Sequence, residues 1–337
     1  MKRIAINGFG RIGRAFLRIA SQRQDLEIVA INDVGLKSDL AAYLLQYDSV
    51  YGRFNQPVKP AEKALIIGDR TVSFLAEKDP TALPWKDLGV DVVIESTGIF
   101  RSAEKAGLHL QAGAKKVIIS APAKGGGVPT FVYGVNHKNY DSAKDNVISA
   151  ASCTTNCLAP IVKILSDEFG IEKGWMTTVH AYTADQRLVD TGHSEEWGRG
   201  RGAAQNIVPT TTGAASAVSL VLPELKGKLD GIALRVPTPT GSVTDLNVVL
   251  GKTVTAEEIN NAFRNYSANS MSEILAVTDL PLVSSDCVGD PHSSIVILRS
   301  TNVLQGNFAK ILSYYDNEWG YSNRLVDLTS YIYSHSK

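Results

Sequence analysis

The chain of 337 residues has only three cysteines and three methionines, and it carries no excess charge: 34 lysines and arginines stand against 34 aspartates and glutamates. That balance leaves no global field to draw nucleic acid or an acidic membrane, so nucleic acid is not expected as a primary partner and any anion site must be local. Three cysteines do not make a disulfide framework, and their scarcity points to a reducing compartment, the cytoplasm. Cys153 and Cys157 stand close together, but no CxxC or HxxxH pattern supplies further ligands, so no metal is expected. No run approaches the ~18 apolar residues of a membrane helix, and the chain enters a strand without a charged-then-apolar leader. No internal repeat or low-complexity stretch occurs. The length suits two domains.

Residues 3–7 (RIAIN) read as a short apolar strand, followed at once by Gly8-Phe9-Gly10-Arg11-Ile12-Gly13, a GxGxxG turn. Ile12, Phe16, Ile19 and Ala20 then fall on one face of a helix, and a second strand over 27–32 ends at Asp33, about 20 residues beyond the turn. Strand, glycine turn, helix, strand and acid together form a dinucleotide fingerprint: glycines admit the pyrophosphate, the helix start meets its charge, and the Asp33 carboxylate accepts ribose hydroxyls. Strand-like runs over 90–95, 116–120, 130–135 and 146–151 extend a doubly wound domain over 1–150. Residues 51–85 carry four prolines and read as short strands and loops inserted in its sheet.

The character changes after 150. A strand over 175–181 carries His180, a stretch over 182–204 has no clear period, and a helical run follows 210–215 as far as Leu222-Pro223. Strands over 231–237, 242–250, 294–300 and 308–315 and a helix over 257–266 predict a mixed α+β domain over 151–316 with a largely antiparallel sheet. A final helix over 318–333 is expected to return to the first domain.

Between the domains lies SAASCTTNCLAP, residues 149–160. Leu158, Ile161, Val162 and Leu165 make the apolar stripe of a helix that Ser152 suits as a cap and that begins at Cys153. Free N–H groups and the helix dipole favour a thiolate in such a first turn, although a cysteine there can also be merely small and buried. A thiolate beside a nicotinamide has a coherent chemistry: addition to an aldehyde, oxidation of the thiohemiacetal, and a thioester. His180, with an imidazole near its ordinary pKa, can take the proton.

The chain resembles the phosphorylating glyceraldehyde-3-phosphate dehydrogenases over essentially its whole length, in INGFGRIGR (6–14), YDSVYGRF (47–54), ESTGIF (95–100), SAPAKG (120–125), SAASCTTNCLAP (149–160), TTVHAYT (177–183), PTTTGAA (209–215), LRVPTPTGSVTDL (234–246), DPHSS (290–294) and YDNEWGYS (315–322). The resemblance implies Cys153 as nucleophile and His180 as base. It implies cofactor contacts at Asn7, Gly8, Phe9, Gly10, Arg11, Ile12, Asp33, Thr97, Ser120 and Asn317. Thr183 and Arg235 resemble the site for the substrate's phosphate, and Ser152, Thr154, Thr212 and Gly213 the site for inorganic phosphate; Arg199, in WGRGRG, stands close to the family's loop arginines. A homotetramer is implied as well. Asp33 points to NAD, since a carboxylate repels a 2′-phosphate. Thr191 and Gly192, where strictly NAD-using members commonly have proline, and nearby Lys37 leave NADP use compatible with the sequence, so an NADP-preferring biosynthetic form is an alternative. Erythrose-4-phosphate dehydrogenase is a more distant one, disfavoured by Asp33 and by the TTTGAA motif.

Overall fold

The computed structural model describes residues 1–335 and divides into two compact units, one of 1–131, 137–152 and the stretch from Ser322, the other of 132–136 and 153–321. In unit 1, β1 (Lys2–Asn7), α1 (Arg11–Ala20) and β2 (Leu26–Asn32) form the opening βαβ. They are followed by α2 (Ser38–Gln46), β3 (Val58–Ala61), β4 (Ala64–Ile67), β5 (Arg70–Leu75), β6 (Val92–Glu95), α3 (Ala103–Gln111), β7 (Lys116–Ile119) and β8 (Val147–Ser149). The sheet runs β8-β7-β6-β1-β2-β5-β4-β3, parallel from β8 to β5 and antiparallel over β4 and β3. Buried on both faces, its central strands are nearly continuous apolar runs, and Ala5, Val29, Val93 and Val117 pack with Trp85 in one core.

In unit 2, α4 (Cys153–Phe169) precedes β9 (Ile171–Ala181), β10 (Val208–Thr211), α5 (Ala214–Ala217), β11 (Leu229–Val236), β12 (Ser242–Leu250) and α6 (Ala256–Ala268). The rest is β13 (Leu275–Thr278), β14 (Ser294–Ile297), β15 (Asn302–Leu304) and β16 (Phe308–Tyr315). The sheet order is β10-β11-β9-β12-β16-β14-β13, with β15 beside β16; β9 with β11 and β13 with β14 are parallel, the remaining pairs antiparallel. Leu158, Ile161, Val162 and Leu165 are fully buried, so the stripe read from the sequence is the face that seats α4.

Several expectations need correction. Residues 130–135 are not a strand: Thr130 makes one isolated bridge to Ser149, and Gly134, at φ +86°, turns the chain while the Asn136 side chain accepts from the Val132 N–H. The expected helical run to Leu222 is one short helix, α5, continued by 3-10 turns. The strand beginning at Ser294 stops at Ile297 because residues 298–300 turn. Helices α2 and α3 and strand β13 were not anticipated. The last helix, α7 (Trp319–Ser334), lies against β1 and the segment after α1 in unit 1 from Ser322 onward: Arg23 reaches Asp327 and Ser330, and the Lys2 ammonium sits 4.1 Å from the Tyr333 ring centroid.

Candidate active site and cofactor cradle

Strand register assembles the catalytic unit's site. Parallel pairing of β9 with β11 sets His180 beside Arg235, and antiparallel pairing of β12 with β16 sets Ser242 beside Tyr315. Thr178 and His180, two apart on β9, share a face. Cys153, the first residue of α4, places Sγ 3.4 Å from His180 Nε2. His180 Nδ1 lies 2.7 Å from the Ala181 carbonyl oxygen, which can only accept, and 2.8 Å from Arg235 Nη1, which can only donate; Nδ1 cannot serve both, and the tautomer with its proton on Nδ1, directed to the nearer carbonyl, is the one that leaves Nε2 a lone pair for the sulfur. In that tautomer Arg235 Nη1 makes its hydrogen bond to the same carbonyl, at 3.2 Å, and not to Nδ1, while its Nε is buried with no hydrogen-bond partner. A cation with an unspent donor beside the sulfur suits an anionic ligand.

Two protonation expectations change. Burial raises the Cys153 thiol above its ordinary value, although the Arg235 charge and hydrogen bonding from Thr154 oppose it. Burial, with the Arg235 guanidinium adding to it, pushes His180 down to about 3. The resting pair is therefore a thiol and a neutral imidazole, and sulfur passes its proton to Nε2 as it attacks. Alkylation follows from this. Cys157 and Cys287 are buried, with thiols pushed up to about 11 and about 12, whereas Cys153 is only half-buried. Iodoacetamide is expected to consume Cys153 at least about tenfold faster than the other two, at a rate that climbs from pH 6 to pH 9. Equal labelling of all three, or a rate independent of pH, would contradict this ordering.

Of the expected phosphate residues, Thr154 is buried, its hydroxyl 2.9 Å from that of Tyr315, which lies 2.9 Å from Thr178 as well. Ser152 immediately precedes α4, and Thr183 follows β9 in a turn closed by the Gln186 N–H on its carbonyl. Thr212 accepts the Ala214 N–H, and Gly213 precedes α5. Thr155 donates to the Ala214 carbonyl at 3.3 Å, tying the first turn of α4 to this segment. Arg199 is not brought to Cys153 by any contact: it pairs with Asp185 at 2.6 Å and with Glu196, which also binds Thr211. Asn317 Oδ1 accepts from Ser242 at 2.9 Å and Thr240 at 3.3 Å, which turns its amide nitrogen away from them. Tyr315, Thr178 and Ser242 escaped the sequence reading as site residues. The period-2 pattern of β16, which ends on buried Tyr315, was the available signal.

In unit 1 the glycine turn forms a cradle. Gly8, at φ +95°, lies where a Cβ would meet the Ser96 and Thr97 backbone at 2.7 Å, and a Cβ on Gly13 would meet the Gly8 carbonyl oxygen at 2.2 Å. A Cβ on Gly10 would meet nothing within 4 Å, so the turn is open outward. Asp33 accepts the Phe9 N–H at 2.7 Å and the Gly35 N–H at 2.8 Å. Lone pairs remain on both carboxylate oxygens for ribose hydroxyls. Asn7, Gly8, Gly10, Asp33 and Thr97 line a cavity of about 550 Å³, whose donors, open turn and carboxylate fit a dinucleotide. Phe9 contributes backbone only, since its ring is fully buried near Phe74. Arg11 pairs with Asp48, Ile12 is half-buried in α1, and the Ser120 N–H donates to the Glu95 carbonyl. A larger cavity of about 740 Å³ in unit 2, lined by Lys173, Trp175 and Phe308, contains none of these residues.

Residues 2–103 match the family model "Glyceraldehyde 3-phosphate dehydrogenase, NAD binding domain", and residues 152–317 match "Glyceraldehyde 3-phosphate dehydrogenase, C-terminal domain". The chain belongs to the glyceraldehyde-3-phosphate dehydrogenase family. It is 56% identical to glyceraldehyde-3-phosphate dehydrogenase of Mycolicibacterium smegmatis, with 98% of each chain covered. It is 52% identical to the Chlamydia muridarum enzyme of that name, over 99% of this chain and 100% of that one, and 52% identical to glyceraldehyde-3-phosphate dehydrogenase 2 of Streptomyces avermitilis, over 98% of each. As a member of this dehydrogenase family the chain has the Rossmann fold and catalytic unit of an oxidoreductase, with NAD as cofactor. Among the described residues no helix is long and apolar enough to cross a membrane.

Proposed function

We propose that this chain converts D-glyceraldehyde 3-phosphate, inorganic phosphate and NAD reversibly into 1,3-bisphosphoglycerate and reduced cofactor. The observation that carries the reading is the 3.4 Å contact of Cys153 Sγ with His180 Nε2, with Nδ1 committed to the Ala181 carbonyl. Cys153 sulfur adds to the aldehyde carbon as its proton passes by way of Nε2 to the carbonyl oxygen, giving a hemithioacetal whose hydroxyl faces the again-neutral imidazole. NAD, when bound, accepts the hydride lost from that carbon. His180 removes the hydroxyl proton, a thioester to Cys153 remains, and attack by phosphate oxygen on the acyl carbon releases the sulfur. Arg235, with Thr183, is assigned the substrate's phosphate; Ser152, Thr154, Thr212 and Gly213 the attacking phosphate; and Arg199 supports that region through its pairs to Asp185 and Glu196. Residues 1–150 with the final helix bind the cofactor, and 151–316 do the chemistry.

NAD is assigned as the preferred cofactor, because the Phe9 and Gly35 N–H groups hold the Asp33 carboxylate where a 2′-phosphate would be repelled. NADP use rests on Thr191 and Gly192. A Cβ at Gly192 meets nothing within 4 Å, so the position has open space for a side chain there. Initial rates with the two cofactors side by side are expected to favour NAD, and Gly192→Pro to depress NADP turnover selectively; an equal fall with both would remove the loop from the account. A homotetramer is proposed too, supported by the exposure of Leu188, Val189 and Trp197 on one loop. Three free cysteines suit the cytoplasm.

A further inference from the structure

Unit 1 contains a buried ionisable pair that the chemistry above does not use. Asn32, Asn7 and Glu95 close β2, β1 and β6 in one register row, so their side chains meet at the carboxyl ends of adjacent parallel strands. Behind Glu95 lies His109 of α3, and behind that Trp85; Glu95, His109 and Trp85 are essentially without solvent exposure.

The hydrogen bonds fix the direction of the chain. The Trp85 indole N–H can only donate, and it lies 3.0 Å from His109 Nδ1, so Nδ1 accepts and the ring proton sits on Nε2. Nε2 then donates to Glu95 Oε2 at 3.1 Å, beside the Asn7 amide, which donates to the same oxygen at 2.6 Å. Oε1 accepts the Thr97 N–H at 2.9 Å and the Thr97 hydroxyl. Asn7 Oδ1 accepts from Asn32 at 2.7 Å, and Asn32 closes on the Glu77 backbone. Four donors converge on one carboxylate, which is how a buried negative charge is sustained. Asn7 Nδ2 also lies 3.3 Å from His109 Nε2, but Nε2 carries the ring proton and cannot accept, so with Oδ1 and one amide hydrogen spent Asn7 keeps its second hydrogen, and it lines the cavity with Thr97.

We propose that Glu95 and His109, oriented by Trp85, are positioning residues of the NAD site: they set the Asn7 carboxamide and Thr97 in the geometry that receives the cofactor. The proposal rests on the reading that Asn7 and Thr97 touch NAD. A glutamine at 95 offers one acceptor oxygen and an NH₂, so either Thr97 or the Asn7/His109 pair faces a donor. His109 cannot relieve that clash by shifting its proton, because Trp85 holds Nδ1 as acceptor. A glutamine at 109 can both accept from Trp85 and donate to Glu95, whereas leucine can do neither.

The test is NAD titration of the full chain, with KM for glyceraldehyde 3-phosphate measured alongside, in Asn7→Ala, Glu95→Gln, His109→Leu and His109→Gln. Asn7→Ala, Glu95→Gln and His109→Leu are each expected to raise the NAD Kd about tenfold, His109→Gln by less than about threefold, with KM for glyceraldehyde 3-phosphate within about twofold throughout. In the Asn7→Ala background His109→Leu should weaken NAD binding by a smaller factor than it does in the unaltered protein, because only the Thr97 arm of the relay remains to be lost. An Asn7→Ala protein with unchanged NAD Kd overturns the contact reading beneath the proposal. A raised Kd in Asn7→Ala with wild-type values in Glu95→Gln and His109→Leu overturns the relay itself, as does equal weakening by His109→Gln and His109→Leu. Should Glu95→Gln and His109→Leu not fold, the unaltered protein labelled with ¹⁵N-histidine decides: the His109 Nε2–H resonance, assigned by its loss in His109→Gln, should move as NAD saturates, and a stationary resonance overturns the proposal.

Discussion

Serine in place of Cys153 is expected to cut turnover at least about 10⁴-fold while leaving the NAD Kd within a few fold. The hydroxyl is small enough for the first turn of α4 and keeps a polar atom near His180 Nε2. The burial that already raises the thiol weighs more heavily on an alkoxide, and an oxygen ester does not share the thioester's reactivity toward phosphate. Initial rates and a cofactor titration on the same preparation check both halves. A loss below about tenfold would take the nucleophile's role away from Cys153.

His180→Asn should lower kcat by about 10² to 10⁴-fold. Asparagine can still donate to the Ala181 carbonyl from the place of Nδ1, so β9 and its pairing with β11 should persist, but it offers no lone pair of comparable basicity to the sulfur. The pH profile adds a second readout. With the imidazole held near 3, His180 stays neutral across the ordinary working range, so the base is fully present from about pH 5 upward and is lost only as pH falls toward 3. The kcat/KM profile of the unaltered enzyme should show no acid limb near 6.5 and should rise toward alkaline pH as the raised Cys153 thiol ionises more readily. A break near 6.5 that disappears in His180→Asn would contradict a buried, neutral imidazole in the free enzyme, since kcat/KM reports the groups of the free enzyme.

Much of this was legible because local chemistry and tertiary placement agree. The glycine turn needs φ +95° at Gly8 and no side chain at Gly13, requirements visible as GxGxxG before any fold is known. The stripe Leu158, Ile161, Val162 and Leu165 likewise places Cys153 at a helix start. The site's electrostatics were not legible. The helix start argued for a thiolate and the free imidazole for a pKa near neutrality, yet burial decides both, and burial arises from β9, β11 and β16 coming together from distant sequence. Tyr315 bridges Thr154 and Thr178 across more than a hundred residues, and Trp85, His109 and Glu95 meet only because α3, packed against β7 and β8, sends His109 to the ends of β1 and β6; no spacing announces either. Residues 130–135 misled for the opposite reason: an apolar, β-branched run was read as a strand, whereas Gly134 and the Asn136 side chain turn it.

The most direct test of the central claim is to trap the acyl enzyme. Mixing the chain with glyceraldehyde 3-phosphate and NAD while withholding phosphate, quenching in acid and mapping the modified peptide by mass spectrometry should place one 3-phosphoglyceroyl group on the peptide containing Cys153, with roughly one reduced cofactor formed per acylated site. Adding phosphate before the quench should clear the label. Reduced cofactor formed with no acyl group on that peptide, or a label on Cys157 or Cys287 instead, would contradict the mechanism at its core.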